Sequence, residues 1–128
     1  MPRAKQLTVS HENLPGMLAS IAKILGNEKV NILSYLTMTS ETTGTTHVVV
    51  DNVDKARKAL ANARLAYSEA DVLRVELPNT PGALARFASR LAQEDINIIL
   101  GYQTSAKGSR KASMVLAVSD LDKADHIR

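Results

Sequence analysis

The stretch Asn13–Ile32, NLPGMLASIAKILGNEKVNI, recurs 66 residues later as NTPGALARFASRLAQEDINI at Asn79–Ile98, with ten of twenty positions identical. The likeness extends outward on both sides. QLTVSHE at 6–12 pairs with VLRVELP at 72–78, and VVVDNVDKA at 48–56 pairs with LAVSDLDKA at 116–124, the last at an offset of 68. A chain of 128 residues that repeats itself over this span is two small tandem units of one fold. The boundaries read as 1–70 for the first unit and 71–128 for the second, which is incomplete at its C-terminal end.

Each copy prescribes the same order of elements. QLTVSHE and LRVEL are apolar and β-branched, which suits strands. A helix follows in each, with Leu18, Ile21, Ala22 and Leu25, or Leu84, Phe87, Ala88 and Leu91, on one apolar stripe at i, i+3, i+4, i+7. Pro15 and Pro81 suit the first helical turn, where a missing N–H costs nothing. NILSYLTMT and THVVVDN read as a hairpin turning at SETTG, with Gly44 in the turn. The second copy has NIILGYQTS and SMVLAVS around a longer loop holding Gly108. An Ala-rich helix, VDKARKALANARL, then follows in unit one with Asp51 or Asn52 as its cap, and LAYSE closes that unit as a short strand. The order is βαββαβ, an α+β fold of two ferredoxin-like units, each an antiparallel sheet with helices on one face. The second unit stops before its last strand. Either the chain is shortened there or another segment supplies the missing edge.

Composition excludes much. There is no cysteine, hence no disulfide or thiolate chemistry, and only one Phe, three Tyr and no Trp, so the core must be aliphatic. No apolar run approaches the roughly 18 residues that span a bilayer, and the N-terminus has no apolar segment of a secretory leader. A cytoplasmic location without membrane attachment is the default expectation. His11, His47 and His126 are widely spaced, and no HExxH, GxSxG or phosphate-loop motif occurs. No catalytic residue, cofactor or metal ligand is assigned, and the chain reads as a non-enzyme. The net charge is +3, with Lys107, Arg110 and Lys111 in one loop. Such a cluster is ordinarily a solvated loop and otherwise a phosphate-binding patch. RNA recognition motifs share the βαββαβ order but stack bases on aromatics of the central strands. THVVVDN and SMVLAVS have none, so no specific nucleic-acid binding is expected.

The repeated polar positions carry the binding chemistry. NLPG and NTPG lie where a strand meets a helix N-terminus, whose unpaired N–H groups favour an anion, and glycine lets a ligand approach the backbone. Asn31 and Asn97 begin the next strand. Each asparagine could equally shape its turn.

This pattern, a strand followed by a Pro-Gly helix start and an Asn-Ile strand start, twice in register, resembles the ACT domain. The resemblance covers nearly the whole chain. It implies a regulatory protein in which ACT domains pair side by side and bind a free amino acid at the interface between them, modulating an enzyme or pathway of amino-acid metabolism. Carried onto this sequence, the ligand-binding positions are Asn13, Leu14, Pro15, Gly16, Met17, Asn31 and Ile32, with Asn79, Thr80, Pro81, Gly82, Ala83, Asn97 and Ile98 in the second copy. A small amino acid is expected between the units, its carboxylate near Gly16 or Gly82 and its side chain against Leu14, Met17 and Ile98. The competing reading is a structural or interaction subunit with no ligand of its own. The open sheet edge of the incomplete unit and Ile24 beside the first helix stripe lead us to expect a homodimer.

Overall fold

The computed structural model describes residues 3–127. The order of elements is β1 (Arg3–Glu12), α1 (Met17–Asn27), β2 (Ile32–Ser40), β3 (Thr43–Val50), α2 (Val53–Asn62), β4 (Tyr67–Pro78), α3 (Ala83–Gln93), β5 (Ile98–Ser105), β6 (Lys111–Val118) and α4 (Leu121–Ala124). The chain divides into two compact units, one of residues 5–70 and one of residues 71–127 together with residues 3–4.

In the unit of residues 5–70, the strands lie in the order β2-β3-β1, with the start of β4 beside β1. The Ser10 N–H donates to the Ala66 carbonyl at 3.2 Å just before β4 begins. β1 and β3 are antiparallel in the register Leu7↔Val48 and Val9↔Thr46. Period-two alternation sends Leu7, Val9, Val48 and Val50 into a core closed by Ile21 and Leu25 of α1 and Ala56 and Leu60 of α2. Fully burying a side chain such as Leu7 or Leu25 stabilises the fold by about 1.5–3 kcal/mol. Asn52, not Asp51, caps α2, its side chain accepting from the Lys55 N–H at 3.1 Å. Asp51 instead accepts from the Asn31 N–H.

The other unit repeats this plan with β5-β6-β4 and a core of Leu73, Val75, Phe87, Leu91, Met114 and Leu116. Its helix α4 is capped by Asp120, which accepts from the Lys123 N–H at 3.0 Å. No strand follows α4 among the described residues. The place beside β4 is taken by Arg3 and Ala4 at the start of β1. The expected open edge at this position is therefore covered by the chain's own first strand. A charge inversion marks the substitution. In residues 5–70, Arg57 of α2 reaches the last strand and holds Glu69 through two N–H donors, at 2.8 and 2.7 Å, while its Nη1 donates to Asp54. In the other unit Asp125, at the position of Arg57, accepts from Arg3, which also donates to Asp122.

Four local expectations are corrected. Pro15 and Pro81 precede the helices instead of entering them, because Gly16 and Gly82 take the cap position with φ of 89° and 83°. The β2–β3 turn is Glu41–Thr42, and Gly44 lies within β3, opposite His11. A Cβ on Gly44 would come within 2.6 Å of the His11 ring, so the missing side chain makes room across the strands. Tyr67–Glu69 of LAYSE runs on through Ala70 and Asp71 into VLRVELP as one strand of 12 residues, no Gly or Pro interrupting it before Pro78 at its end. Finally, Ala83 takes the buried place on α3 and Leu84 is 48% exposed.

Candidate functional site

The two Pro-Gly turns are built alike. After β1 the chain turns through Asn13–Gly16, and the Gly16 carbonyl accepts the first α1 bond from the Ser20 N–H at 2.9 Å. After β4 the Gly82 carbonyl accepts from the Arg86 N–H at 3.0 Å. Neither helix has a side-chain cap. The Met17 and Ala83 N–H groups donate to the Leu14 and Thr80 carbonyls at 3.4 and 3.3 Å, and with no side-chain oxygen at the cap the next two N–H groups of each helix are left to solvent or to a ligand. A Cβ on Gly16 would meet nothing within 4 Å, so the backbone there is open to approach.

Asn13 and Asn79 hold these turns in place. The Asn13 N–H donates to the Thr42 carbonyl at 3.0 Å and its side-chain amide to the Glu41 carbonyl at 2.9 Å. Asn79 repeats the clamp on the Arg110 and Ser109 carbonyls, both at 2.9 Å. Each asparagine thus ties the Pro-Gly turn to the hairpin loop of its own unit, a structural task that sequence reading left open.

Asn31 and Asn97 stand elsewhere. Their N–H groups donate to Asp51 Oδ1 and Ser119 Oγ at 2.9 and 2.8 Å, and their carbonyls accept from Asp51 and Ser119 N–H. α1 and α3 each have 11 residues, so within one unit about 16 Å of helix separates Gly16 from Asn31 and Gly82 from Asn97. The structure brings Asn13, Leu14, Pro15, Gly16 and Met17 together at one end of their unit, and Asn79 to Ala83 likewise. Asn31–Ile32 and Asn97–Ile98 lie at the other ends. Both strand starts carry a bulge: pairing jumps from Ile32↔Val50 to Ser34↔Val49, and from Ile98↔Val118 to Leu100↔Ala117. The displaced residues, Leu33 and Ile99, are exposed, Ile99 by 67%.

The family model for the ACT domain matches residues 72–128. Protein BT0572 from Bacteroides thetaiotaomicron is 31% identical, with a TM-score of 0.90 over 96% of this chain and 84% of that one. The chain belongs to the ACT domain family. Its fold is shared with the regulatory subunit of aspartate kinase from Thermus thermophilus, 13% identical with a TM-score of 0.68 over 91% of this chain and 87% of that one. The corresponding subunit from Thermus flavus is 16% identical, with a TM-score of 0.61 over 89% and 81%. No curated protein matches the chain.

The two ACT turns differ in their electrostatic setting. At the second, Arg86 folds back so that its Nη1 lies 2.9 Å from where a Gly82 Cβ would stand. The loop clamped by Asn79 carries Lys107 and Arg110, and Lys111 opens β6 beside it. At the first, Ser20 replaces Arg86 and the clamped loop carries Glu41. The first ACT unit has instead a polar ladder across its sheet. The His11 ring meets the Glu12 carbonyl through Nδ1 at 2.7 Å and the fully buried Thr46 hydroxyl through Nε2 at 2.9 Å. Thr46 also bonds the Thr37 hydroxyl at 2.9 Å. A carbonyl only accepts, so Nδ1 carries the proton in the neutral ring and Nε2 accepts from Thr46. Aligned positions in the second unit are Leu77, Met114 and Gln103. Among the described residues no group of three or more His, Cys, Asp or Glu could hold a metal ion, and no helix is long and apolar enough to cross a membrane.

Proposed function

We propose that this ACT protein is a regulatory module that binds a free amino acid at its Pro-Gly turns and modulates an enzyme or pathway of amino-acid metabolism. The observation that carries the reading is the duplicated turn itself, in which an uncapped helix start follows a left-handed glycine. The second turn is the stronger carboxylate site. Arg86 beside Gly82 adds a cation to the N–H groups and dipole of α3, whereas Glu41 near the first turn opposes an anion. Leu84 and, at the first turn, Leu14 (55% exposed) and Met17 offer aliphatic walls, which favours a modest or branched aliphatic side chain. Asn31, Ile32, Asn97 and Ile98 can meet a ligand at a Pro-Gly turn only when another ACT unit presents them, and a homodimer is the form in which we propose the protein acts. The regulatory subunits of aspartate kinase that share the fold are consistent with a partner enzyme of this class.

The test is a thermal-shift screen of the twenty free amino acids, with light scattering on the same samples. A binding amino acid raises the melting temperature by mass action, equivalent to about 2.7 kcal/mol at a hundred times Kd, and the scattering mass corresponds to a dimer. Gly82→Val should remove that shift and Gly16→Val should weaken it less, each variant's ligand-free stability being measured alongside. If no amino acid moves the melting of the unmodified protein at millimolar concentration, the structural-subunit reading replaces this one.

A further inference from the structure

The far end of α1 carries a feature that amino-acid binding at the Pro-Gly turns leaves unused. Lys55, Lys58, Ala59 and Asn62 fall at i, i+3, i+4 and i+7 on α2 and so form one stripe. The turn Asn27–Lys29 after α1 joins this stripe, and together the seven residues (the seventh is Glu28) line a cavity of about 340 Å³. Three lysines and a single glutamate therefore line one cleft. Among the described residues no salt bridge neutralises Lys29, Lys55 or Lys58.

The internal repeat supplies a control. Where the first unit has Lys29, Lys58 and Ala59, the second has Asp95, His126 and Ile127. The same frame thus folds without the extra charge. Lys29 also sits at φ 59° and Asp95 at φ 56° in matching turns. Aspartate visits that left-handed region more readily than lysine does. The lysine is therefore neither favoured by its backbone nor paired within the fold, and it adds to the repulsion among its neighbours. A ligand of opposite charge accounts for all three features.

We propose that this cleft binds a small anion bearing a diphosphate group. Lysine ammoniums act as compact point charges suited to phosphate oxygens, and the Asn27 and Asn62 amides can donate beside them. No aromatic ring or arginine lines the cavity, so nothing there stacks on a base or grips a planar carboxylate in two-pronged fashion. The volume lies at the small end of ligand pockets, enough for a diphosphate with any attached group projecting outward. Glu28 leaves a net excess of two positive charges, so a diphosphate, which carries at least two negative charges at neutral pH, gains more than a singly charged carboxylate. The site is separated from Gly16 by the length of α1, and it stands or falls independently of amino-acid binding.

The experiment is a backbone-amide NMR titration of the full chain with sodium pyrophosphate, ADP and sodium acetate, at low and at physiological salt. Pyrophosphate should shift amides of residues 27–29 and 55–62, with affinity falling as salt rises. Lys58→Gln and Lys29→Gln should each weaken binding by about tenfold, while Lys107→Gln, in the other basic loop, leaves it unchanged. Equal affinity for ADP assigns the free diphosphate group as what is read, and tighter ADP binding with the same lysine dependence assigns a nucleotide. Acetate binding as tightly as pyrophosphate, shifts insensitive to both lysine variants, or shifts centred on residues 107–111 would overturn the proposal. So would an absence of shifts at millimolar pyrophosphate.

Discussion

Two glycines on one helix should respond to the same substitution with opposite sign. Gly16 caps α1 with φ of 89°, and Gly26 lies near its end without a positive φ; a Cβ at either would meet nothing within 4 Å. Steric clash is thus absent from both, and the backbone conformation alone decides the outcome. An L-residue in the left-handed region costs about 1–2 kcal/mol, so Gly16→Ala should lose that much. Gly26→Ala removes helix-destabilising backbone freedom and should gain about 0.5–1 kcal/mol. For a chain of this size about 1 kcal/mol moves Tm by about 4 °C. Gly16→Ala then melts about 4–8 °C lower and Gly26→Ala about 2–4 °C higher. Gly16→Asn should recover part of the loss, since asparagine tolerates the left-handed region better than alanine. Calorimetry and urea unfolding without ligand measure all three. If Gly16→Ala is as stable as the unmodified protein, or if both alanine variants move the same way, the cap geometry does not govern these turns.

The Arg3 guanidinium holds the Asp125 carboxyl below the usual carboxylate range. That contribution is present above about pH 4 and is lost as pH falls through the depressed value. Arg3→Glu should lower stability at neutral pH and expose amides of β4 and β6 to hydrogen exchange, and adding Asp125→Arg should restore part of both; additive losses would deny the pairing. Burial pushes the His47 pKa below its ordinary value, and its Nδ1 is hydrogen-bonded to the Thr8 hydroxyl at 2.9 Å. The unfolded chain therefore binds the proton more readily, and stability should fall as pH drops below about 6.5. His47→Gln should flatten that fall in denaturant melts across the range, and an unchanged slope would refute the assignment.

Periodicity made the elements legible, because Leu7 and Val9, or Ile21 and Leu25, repeat with the spacing of the structures they enter. Side-chain neighbours across strands were not legible. Local rules associate Gly44 with the hairpin turn, yet its smallness serves the His11 ring on β1. From sequence Asn13 and Asn79 are equally ligand groups or turn-shaping residues, and the bonds by which they clamp their turns run to loops 28 and 30 residues onward, a separation no local pattern reports. Sequence allows another segment to supply the second unit's missing edge, but the same limit hides that it is Arg3 and Ala4, since the Arg3 partner Asp125 is 122 residues away. The chemical clue was nevertheless present in the repeat. Lys55 matches Lys123 and Asp54 matches Asp122, whereas Arg57 is met by Asp125, a reversal of charge within an otherwise matching segment.

That reversal bears on how a duplicated chain assigns its strands. Each unit needs a last strand beside its first, and two related helices, α2 and α4, await one. Arg57 attracts Glu69 and would repel Arg3; Asp125 attracts Arg3 and would repel Glu69. Either wrong pairing juxtaposes like charges, so the four residues discriminate between strands by repulsion as well as attraction. Exposed ion pairs add little to stability, but a preference between two competing pairings needs only their difference. Backbone devices have stayed the same in both copies: the left-handed glycine cap, the asparagine clamp and the bulge after the strand start. Charge has diverged, at the last strands, at the Pro-Gly turns and around Lys29. Duplication thus kept the geometry that makes an ACT unit and freed the side chains around it, so the two units present different surfaces to ligands from one frame.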